Sequence, residues 1–165
     1  TERNAADAGH GGAAVGGVVN KAGLDVIRYN PEENPYTMNI ASQSFAFLAA
    51  ALHVLIFCME SLWFMRPKVH KRFGAGTTAD AEARRLFAFN QGFYNLFLAI
   101  GAFVGLGVLQ LDGNTTVGKT LVLFNSACMF AASVVLFVSA GRKMLRAAVI
   151  QGIFPLLAWV FWLGL

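Results

Sequence analysis

Residues Leu86–Leu98 read LFAFNQGFYNLFL. Two asparagines, a glutamine and a tyrosine fall within six consecutive positions of an otherwise apolar segment. In a soluble core these groups would be misplaced. In a membrane they are costly unless they face a bundle interior or a water-filled cavity, where polar partners can satisfy them. The meaning of the segment depends on its solvent, and the rest of the chain decides that.

Of the 165 residues, 56% are hydrophobic and only 13% are charged, with a mean hydropathy of +0.56. A soluble domain carries roughly 25% charged residues. The apolar excess falls in four blocks, residues 45–65, 86–110, 119–140 and 147–165. Each block is about twenty residues, the length a helix needs to cross roughly 30 Å of hydrocarbon. Buried helices of a soluble protein would show shorter apolar runs and a polar face. The sequence predicts an all-α polytopic membrane protein. Its expected architecture is four transmembrane helices in an antiparallel bundle over residues 41–165, preceded by an extended tail over residues 1–40.

Basic residues set the expected orientation. The first connection carries Arg66, Lys68, Lys71, Arg72, Arg84 and Arg85, and the third carries Arg142, Lys143 and Arg146. The second, LDGNTTVG, has none, although Lys119 follows it directly. Lysine and arginine mark cytoplasmic loops, so connections one and three are placed inside and both termini outside. Trp63, Trp159 and Trp162 lie toward helix ends, as interfacial aromatics do. The expected location is the cytoplasmic membrane.

The tail is a different kind of sequence. TERNAADAGHGGAAVGGVVNKAG is glycine-rich and lacks any period, and DVIRYNPEENPYTMN adds two prolines and two adjacent acids. It does not read as a signal peptide, because no apolar run follows a basic start. Its large apolar groups, among them Leu24, Ile27, Tyr29 and Tyr36, are all in its second half. Ordering a residue costs about 1–2 kcal/mol of backbone entropy, more than so few apolar groups can offset. The tail is therefore expected to run extended over partner chains on the outer side, with those four residues as anchors.

Depth orders the polar residues of the spans. Glu60 lies six residues before Arg66, roughly 9 Å from the inner end at 1.5 Å per residue. Asn90, Gln91 and Gln151 fall near that level. His53 and Asn95 approach mid-membrane, and Asn125 lies further out. His53 and Glu60 are seven apart and would share a face of a straight helix, as would Asn90 with Tyr94 and Gln91 with Asn95. The second helix is thus polar on a broad side, which is expected to face the bundle interior. Amides suit a buried carboxyl because each offers donors and an acceptor. Glu60 is expected to bond Asn90, Gln91 or Gln151. Such a network serves either as interhelical polar glue or as a proton-responsive or ligand-binding site around Glu60 and His53.

Other chemistry is not indicated. Cys58 and Cys128 fall inside spans and form no CxxC pair or cysteine–histidine cluster, so no metal is expected. His53 is the sole histidine in a span, which excludes a two-histidine haem inside this chain alone, and no cofactor is expected. There is no phosphate-binding loop, dinucleotide fingerprint or GxSxG. The chain does not read as an enzyme. Topology accounts for its basic residues, so no nucleic-acid partner is expected. Lipids and other membrane subunits are. Gly101 and Gly105, in GAFVG, permit close helix approach, and Pro155 would kink the last helix and free a carbonyl near Gln151.

The portion from about Phe45 to Leu165 resembles the domain-of-unknown-function 1304 family, short bacterial membrane proteins with four spans. The resemblance rests on the histidine and glutamate of HVLIFCMESLWF and on the basic loop with Phe73-Gly74. NQGFYNLFL and QGIFP complete it. It implies that His53, Glu60, Asn90, Gln91, Tyr94, Asn95 and Gln151 form a characteristic polar set, and it supplies no activity. In class, topology and tail the chain also resembles the supercomplex-associated factors of actinobacterial respiratory assemblies, in which a cytochrome bc complex joins an aa3-type oxidase. The leading expectation is thus a non-enzymatic accessory or assembly subunit of a larger membrane complex. The alternative is a small transporter or proton-handling protein using the Glu60 and His53 layer.

Overall fold

The computed structural model describes residues 38–111 and 115–165, and every regular element among them is a helix. Helix α1 spans Ile40–Phe57 and runs into a π-helical turn at Cys58–Leu62. A short helix, α2, covers Pro67–His70. Helix α3 spans Thr78–Gln110, α4 Thr115–Ala140 and α5 Leu145–Leu163. A 3-10 turn, Gly141–Met144, joins the last two. Three helical stretches are long and apolar enough to cross a membrane: Ile40–Leu62, Thr78–Gln110 and Thr115–Leu163. The proposed tail anchors Leu24, Ile27, Tyr29 and Tyr36 lie outside the described residues.

The long helices form a ring. Helix α1 packs on α3 and α5, α4 packs on the same two, and α1 barely meets α4 across the middle. The inner faces are rich in small residues, with Ala46, Ala49, Ala50, Ala99, Ala102 and Ala158 all fully buried beside Val122 and Met129. Large residues point outward, including Phe47, Leu55, Phe97, Ile100, Phe124, Val135 and Val138. A water-soluble bundle has the opposite arrangement. In lipid, helices gain nothing from hiding leucine from the solvent, so association depends on close backbone contact and interhelical hydrogen bonds.

Gly105 shows the close contact. A β-carbon built there would lie 2.9 Å from the Gly118 carbonyl oxygen and 2.8 Å from Leu121 Cβ. A β-carbon at Gly101 would meet the Asn125 amide at 2.6 Å. The GAFVG stretch is therefore the seam of α3 on α4, as its spacing suggested. Hydrogen bonds stitch the opposite end of the ring from the basic connections. Ser42 Oγ donates to the Ala158 carbonyl at 2.6 Å, Gln110 Nε2 to Gln43 Oε1 at 2.7 Å, and Trp159 Nε1 to the Leu123 carbonyl at 3.2 Å. Trp159 is thus half-buried between helices rather than only an interfacial anchor.

The connection between Arg66 and Arg85 is more ordered than its composition suggested. Helix α3 starts at Thr78, eight residues before the apolar block at Leu86. Thr77 Oγ1 accepts from the Asp80 amide and Asp80 Oδ2 accepts from the Thr77 amide, both at 3.1 Å. This reciprocal capping box nucleates the helix within the polar sequence TTADAEARR, where hydropathy gives no signal. Upstream, Gly74 takes a left-handed conformation (φ 76°) that closes the 3-10 turn Lys71–Phe73. Phe64, Ala75 and Ala81 bury together beneath this segment. His70 is buried as well, and its Nδ1–H donates to the Ala75 carbonyl at 2.7 Å.

Candidate functional site

The π turn builds the site. Trp63 N–H reaches back five residues to the Cys58 carbonyl at 2.9 Å, one residue further than in an α-helix. The wide turn puts Glu60 and Ser61 onto α3. Ser61 Oγ donates to the Phe89 carbonyl at 2.9 Å. Opposite it stands Gly92, buried, where an added β-carbon would lie 2.1 Å from Ser61 Oγ and 3.1 Å from Glu60 Cβ. An added methyl would displace the Ser61 hydroxyl and crowd Glu60 Cβ and the Ser61 nitrogen, both at 3.1 Å.

This contact sets the partner of Glu60. Asn95, buried one turn along α3, donates through Nδ2 to Glu60 Oε2 at 2.9 Å and to the Gln91 carbonyl at 3.0 Å. Both amide hydrogens are thereby used and the side chain is fixed. Glu60 Oε1 takes no hydrogen bond among the described residues and is not closed off. The Glu60 partner expected from sequence was Asn90, Gln91 or Gln151, and the geometry corrects this to Asn95. Glu60 abuts Gly92 and so stands beside Asn90 and Gln91 along α3, but it meets a different face of that helix.

Asn90, Gln91 and Tyr94 are exposed, contrary to the expectation that they look into the bundle. They line an open cleft of ≈ 520 Å³ together with Glu60, Arg84, Phe64, Phe73, Phe87 and Ala88. The reason is angular. Helix α3 turns its narrow Gly92–Asn95–Ala99 stripe inward, which leaves Asn90 and Tyr94 on roughly the opposite side of the helix and Gln91 at the edge of the stripe. The cleft lies between the π turn, the Phe64–Phe73 segment and the first turns of α3.

Gln151 does not reach this cleft and makes no side-chain hydrogen bond among the described residues. It sits half-buried on α5, beside Gly152, which packs on Ser133 of α4. His53 is fully buried, yet its Nδ1–H donates to the Ala49 carbonyl of its own helix at 2.8 Å, and its Nε2 has no partner among the described residues. The π turn begins between His53 and Glu60, so the seven-residue spacing no longer describes one face. Asn125 Nδ2 likewise donates within its own helix, to the Leu121 carbonyl at 2.8 Å, and its side chain fills the notch left by Gly101. The eight polar residues are thus three separate arrangements and a solitary glutamine, not one network.

Sequence reasoning gave no site role to Ser61, Gly92, Arg84, Phe64, Phe73 or Phe87. Arg84 was counted only as a loop charge, because α3 was expected to begin after it. The signal for Gly92 was its place within NQG: a small residue between amides on a helix that must meet another helix. No period marks the π turn. Among the described residues, no three of the histidines, cysteines and acids are placed to hold a metal ion.

The arrangement offers a half-buried carboxyl with one free oxygen, a guanidinium, two amides and a phenol around an aromatic-lined opening. It can hold a small polar or amphipathic molecule by hydrogen bonds and charge. It contains no activated nucleophile.

No curated protein and no solved structure matches the chain. A family model described as a protein of unknown function (DUF1304) matches residues 47–163, more than two thirds of the sequence, and the chain belongs to that family.

Proposed function

We propose that this is a non-enzymatic, four-span protein of the bacterial cytoplasmic membrane that binds a small ligand in the Glu60 cleft. The observation that carries the reading is the Asn95–Glu60 hydrogen bond on the π turn. It holds one carboxyl oxygen and leaves the other toward an opening shared with Arg84, Asn90, Gln91 and Tyr94. A half-buried acid in such a setting is costly to keep for packing alone. The four-span count is supported by α4 and α5, of 26 and 19 residues, lying side by side across the basic turn at Gly141–Met144. The resulting bundle is antiparallel between ring neighbours.

Small molecules retained by the protein purified in mild detergent test the binding reading. Glu60→Gln preserves the acceptor for Asn95 but removes the acid. Wild type is expected to carry a ligand that the variant loses, with the thermal transition little changed. Identical adducts on both would refute the reading. For orientation, Thr77→Cys should resist an impermeant thiol reagent applied from outside while Thr115→Cys reacts. The reverse pattern would overturn the assignment of both termini to the outer side.

A second reading, an accessory or assembly subunit of a larger complex such as a respiratory bc–oxidase supercomplex, is favoured by the tail sequence. On that reading its apolar residues Leu24, Ile27, Tyr29 and Tyr36 are the anchors on partner chains. Deleting residues 1–30 should leave the helical domain intact and remove co-purifying subunits. Retention of the full set of partners would remove that reading's support. A proton-handling role that couples Glu60 to His53 is less favoured, since the two bond to different partners.

A further inference from the structure

Helices α4 and α5 leave a groove between them on the outward side of the ring. Phe130, Val134 and Phe137 of α4 and Val149, Ile153 and Leu156 of α5 wall an open trough of ≈ 270 Å³. Small residues set its floor. Gly152 meets Ser133 so closely that a built β-carbon would lie 2.4 Å from Ser133 Oγ, and Ala148 is buried. The one polar side chain lining the groove, Ser133, already donates to the Phe130 carbonyl at 2.6 Å. The groove therefore has no side-chain hydrogen bond to offer and suits an apolar occupant. From Leu145 to Leu156 of α5 it runs roughly 16 Å at 1.5 Å per residue. That is about half of the roughly 30 Å hydrocarbon thickness, the depth of one leaflet.

The end of the groove at Leu145 is charged. Arg142, Lys143 and Arg146 are exposed there, on the Gly141–Met144 turn and the first turn of α5. Arg146 shares a helical face with Val149 and Ile153 of the groove wall. Among the described residues none of these three cations makes an ion pair or a side-chain hydrogen bond. Residues 115–165 contain no aspartate or glutamate, so neither helix carries a carboxylate that could neutralise them. A headgroup with an ammonium would add a fourth cation to the three. A phosphodiester without one supplies the missing counter-charge. Guanidinium groups hold phosphate oxygens in planar, two-pronged contacts, and basic residues beside a span attract anionic lipid.

We propose that the α4–α5 groove binds an anionic phospholipid of the phosphatidylglycerol type, with one acyl chain between the helices and the phosphate held by Arg142 and Arg146. The site shares no lining residue with the Glu60 cleft and stands or falls separately from it.

The test uses the full chain in detergent, incubated with equimolar phosphatidylglycerol, phosphatidylethanolamine and phosphatidylcholine of identical acyl chains, with bound lipid read by native mass spectrometry. Wild type should retain phosphatidylglycerol about tenfold over the other two, the worth of one charge-assisted hydrogen bond. The double variant Arg142→Gln/Arg146→Gln, at exposed positions, should erase that preference. Val149→Trp, which fills the groove from a wall residue that is 55% exposed, should lower retention of all three lipids. Two controls should behave as wild type: Val138→Trp, 75% exposed and outside the groove, and Lys71→Gln/Arg72→Gln, exposed on the other basic connection. Equal retention of the three lipids by wild type overturns the proposal, as does a preference unchanged in Arg142→Gln/Arg146→Gln or a retention unchanged in Val149→Trp. An equal loss in either control would assign binding to the general lipid-facing or basic surface and overturn the groove site. Displacement of the lipid by inorganic phosphate at equal concentration would make the ligand a free anion and overturn the lipid source.

Discussion

Replacing Gly92 with valine is expected to detach the π turn from α3 and abolish the cleft. The added β-carbon alone would stand 2.1 Å from Ser61 Oγ and 3.1 Å from the Ser61 backbone nitrogen. The hydroxyl could rotate away, losing its bond to the Phe89 carbonyl, but the backbone could not. Valine adds two further methyls into the same gap. Overpacking of this kind costs about 3 kcal/mol, and here the strain falls on the turn that carries Glu60. Thermal unfolding and ligand retention should both collapse. The matched control is Gly107→Val on the same helix, where nothing lies within 4 Å of a built β-carbon. It should change stability by no more than helix propensity does, a few tenths of a kcal/mol. Equal behaviour of the two variants would show that the close approach at Gly92 has no energetic consequence.

The second large effect belongs to Gly105, and it differs in kind. A side chain there meets the Gly118 carbonyl oxygen and the Leu121 Cβ, so α3 and α4 must separate. Gly105→Val is expected to destabilise by about 2–3 kcal/mol and to weaken the seam along which Asn125 fills the Gly101 notch. The cleft lies at the other end of α3, three turns or more away, so the fraction that remains folded should still bind ligand. Gly92→Val removes binding with stability, while Gly105→Val removes stability and spares binding. Measuring both quantities on both variants separates the site from the scaffold. A Gly105→Val protein that is fully folded but unable to bind would contradict this division.

Sequence legibility followed the kind of information each feature carries. Apolar block length and composition are one-dimensional, and the four blocks at 45–65, 86–110, 119–140 and 147–165 overlap the three long apolar helical stretches at 40–62, 78–110 and 115–163. The start of α3 was missed because a capping box acts through two side chains, Thr77 and Asp80, in a polar stretch that hydropathy scores as a loop. The level of Glu60 beside Asn90–Gly92 was legible, since depth depends only on rise per residue. Its partner was not, because facing depends on helix phase. A single π turn between His53 and Glu60 shifts that phase without leaving a trace in the period. Asn90, Gln91 and Tyr94 line a cleft for a separate reason: α3 is polar on a broad side and turns only its Gly92–Asn95–Ala99 stripe inward. Gln151 was assigned to a layer by depth alone, and depth does not bring helices together. His53 through Nδ1 and Asn125 through Nδ2 donate to carbonyls four residues back, an outcome open to polar side chains in a helix.

The distinction between an interior network and an open cleft also explains the opening segment. LFAFNQGFYNLFL holds its polar residues close together because they serve two surfaces. Gly92 and Asn95 fit the π turn, while Asn90, Gln91 and Tyr94 face the opening. Phe93 meets Phe57 edge-on at 5.1 Å and Phe89 at a tilt at 4.9 Å.

The most direct test of the account is cysteine labelling along α3 in sealed inverted membrane vesicles, using a polar maleimide that does not cross lipid. Asn90→Cys and Tyr94→Cys should react, because they border an opening at the basic end, and Ile100→Cys should not, because it is outward-facing on the apolar stretch of the same helix. Reaction at Ile100 equal to that at Asn90, or protection of both Asn90 and Tyr94, would contradict the open cleft at Glu60.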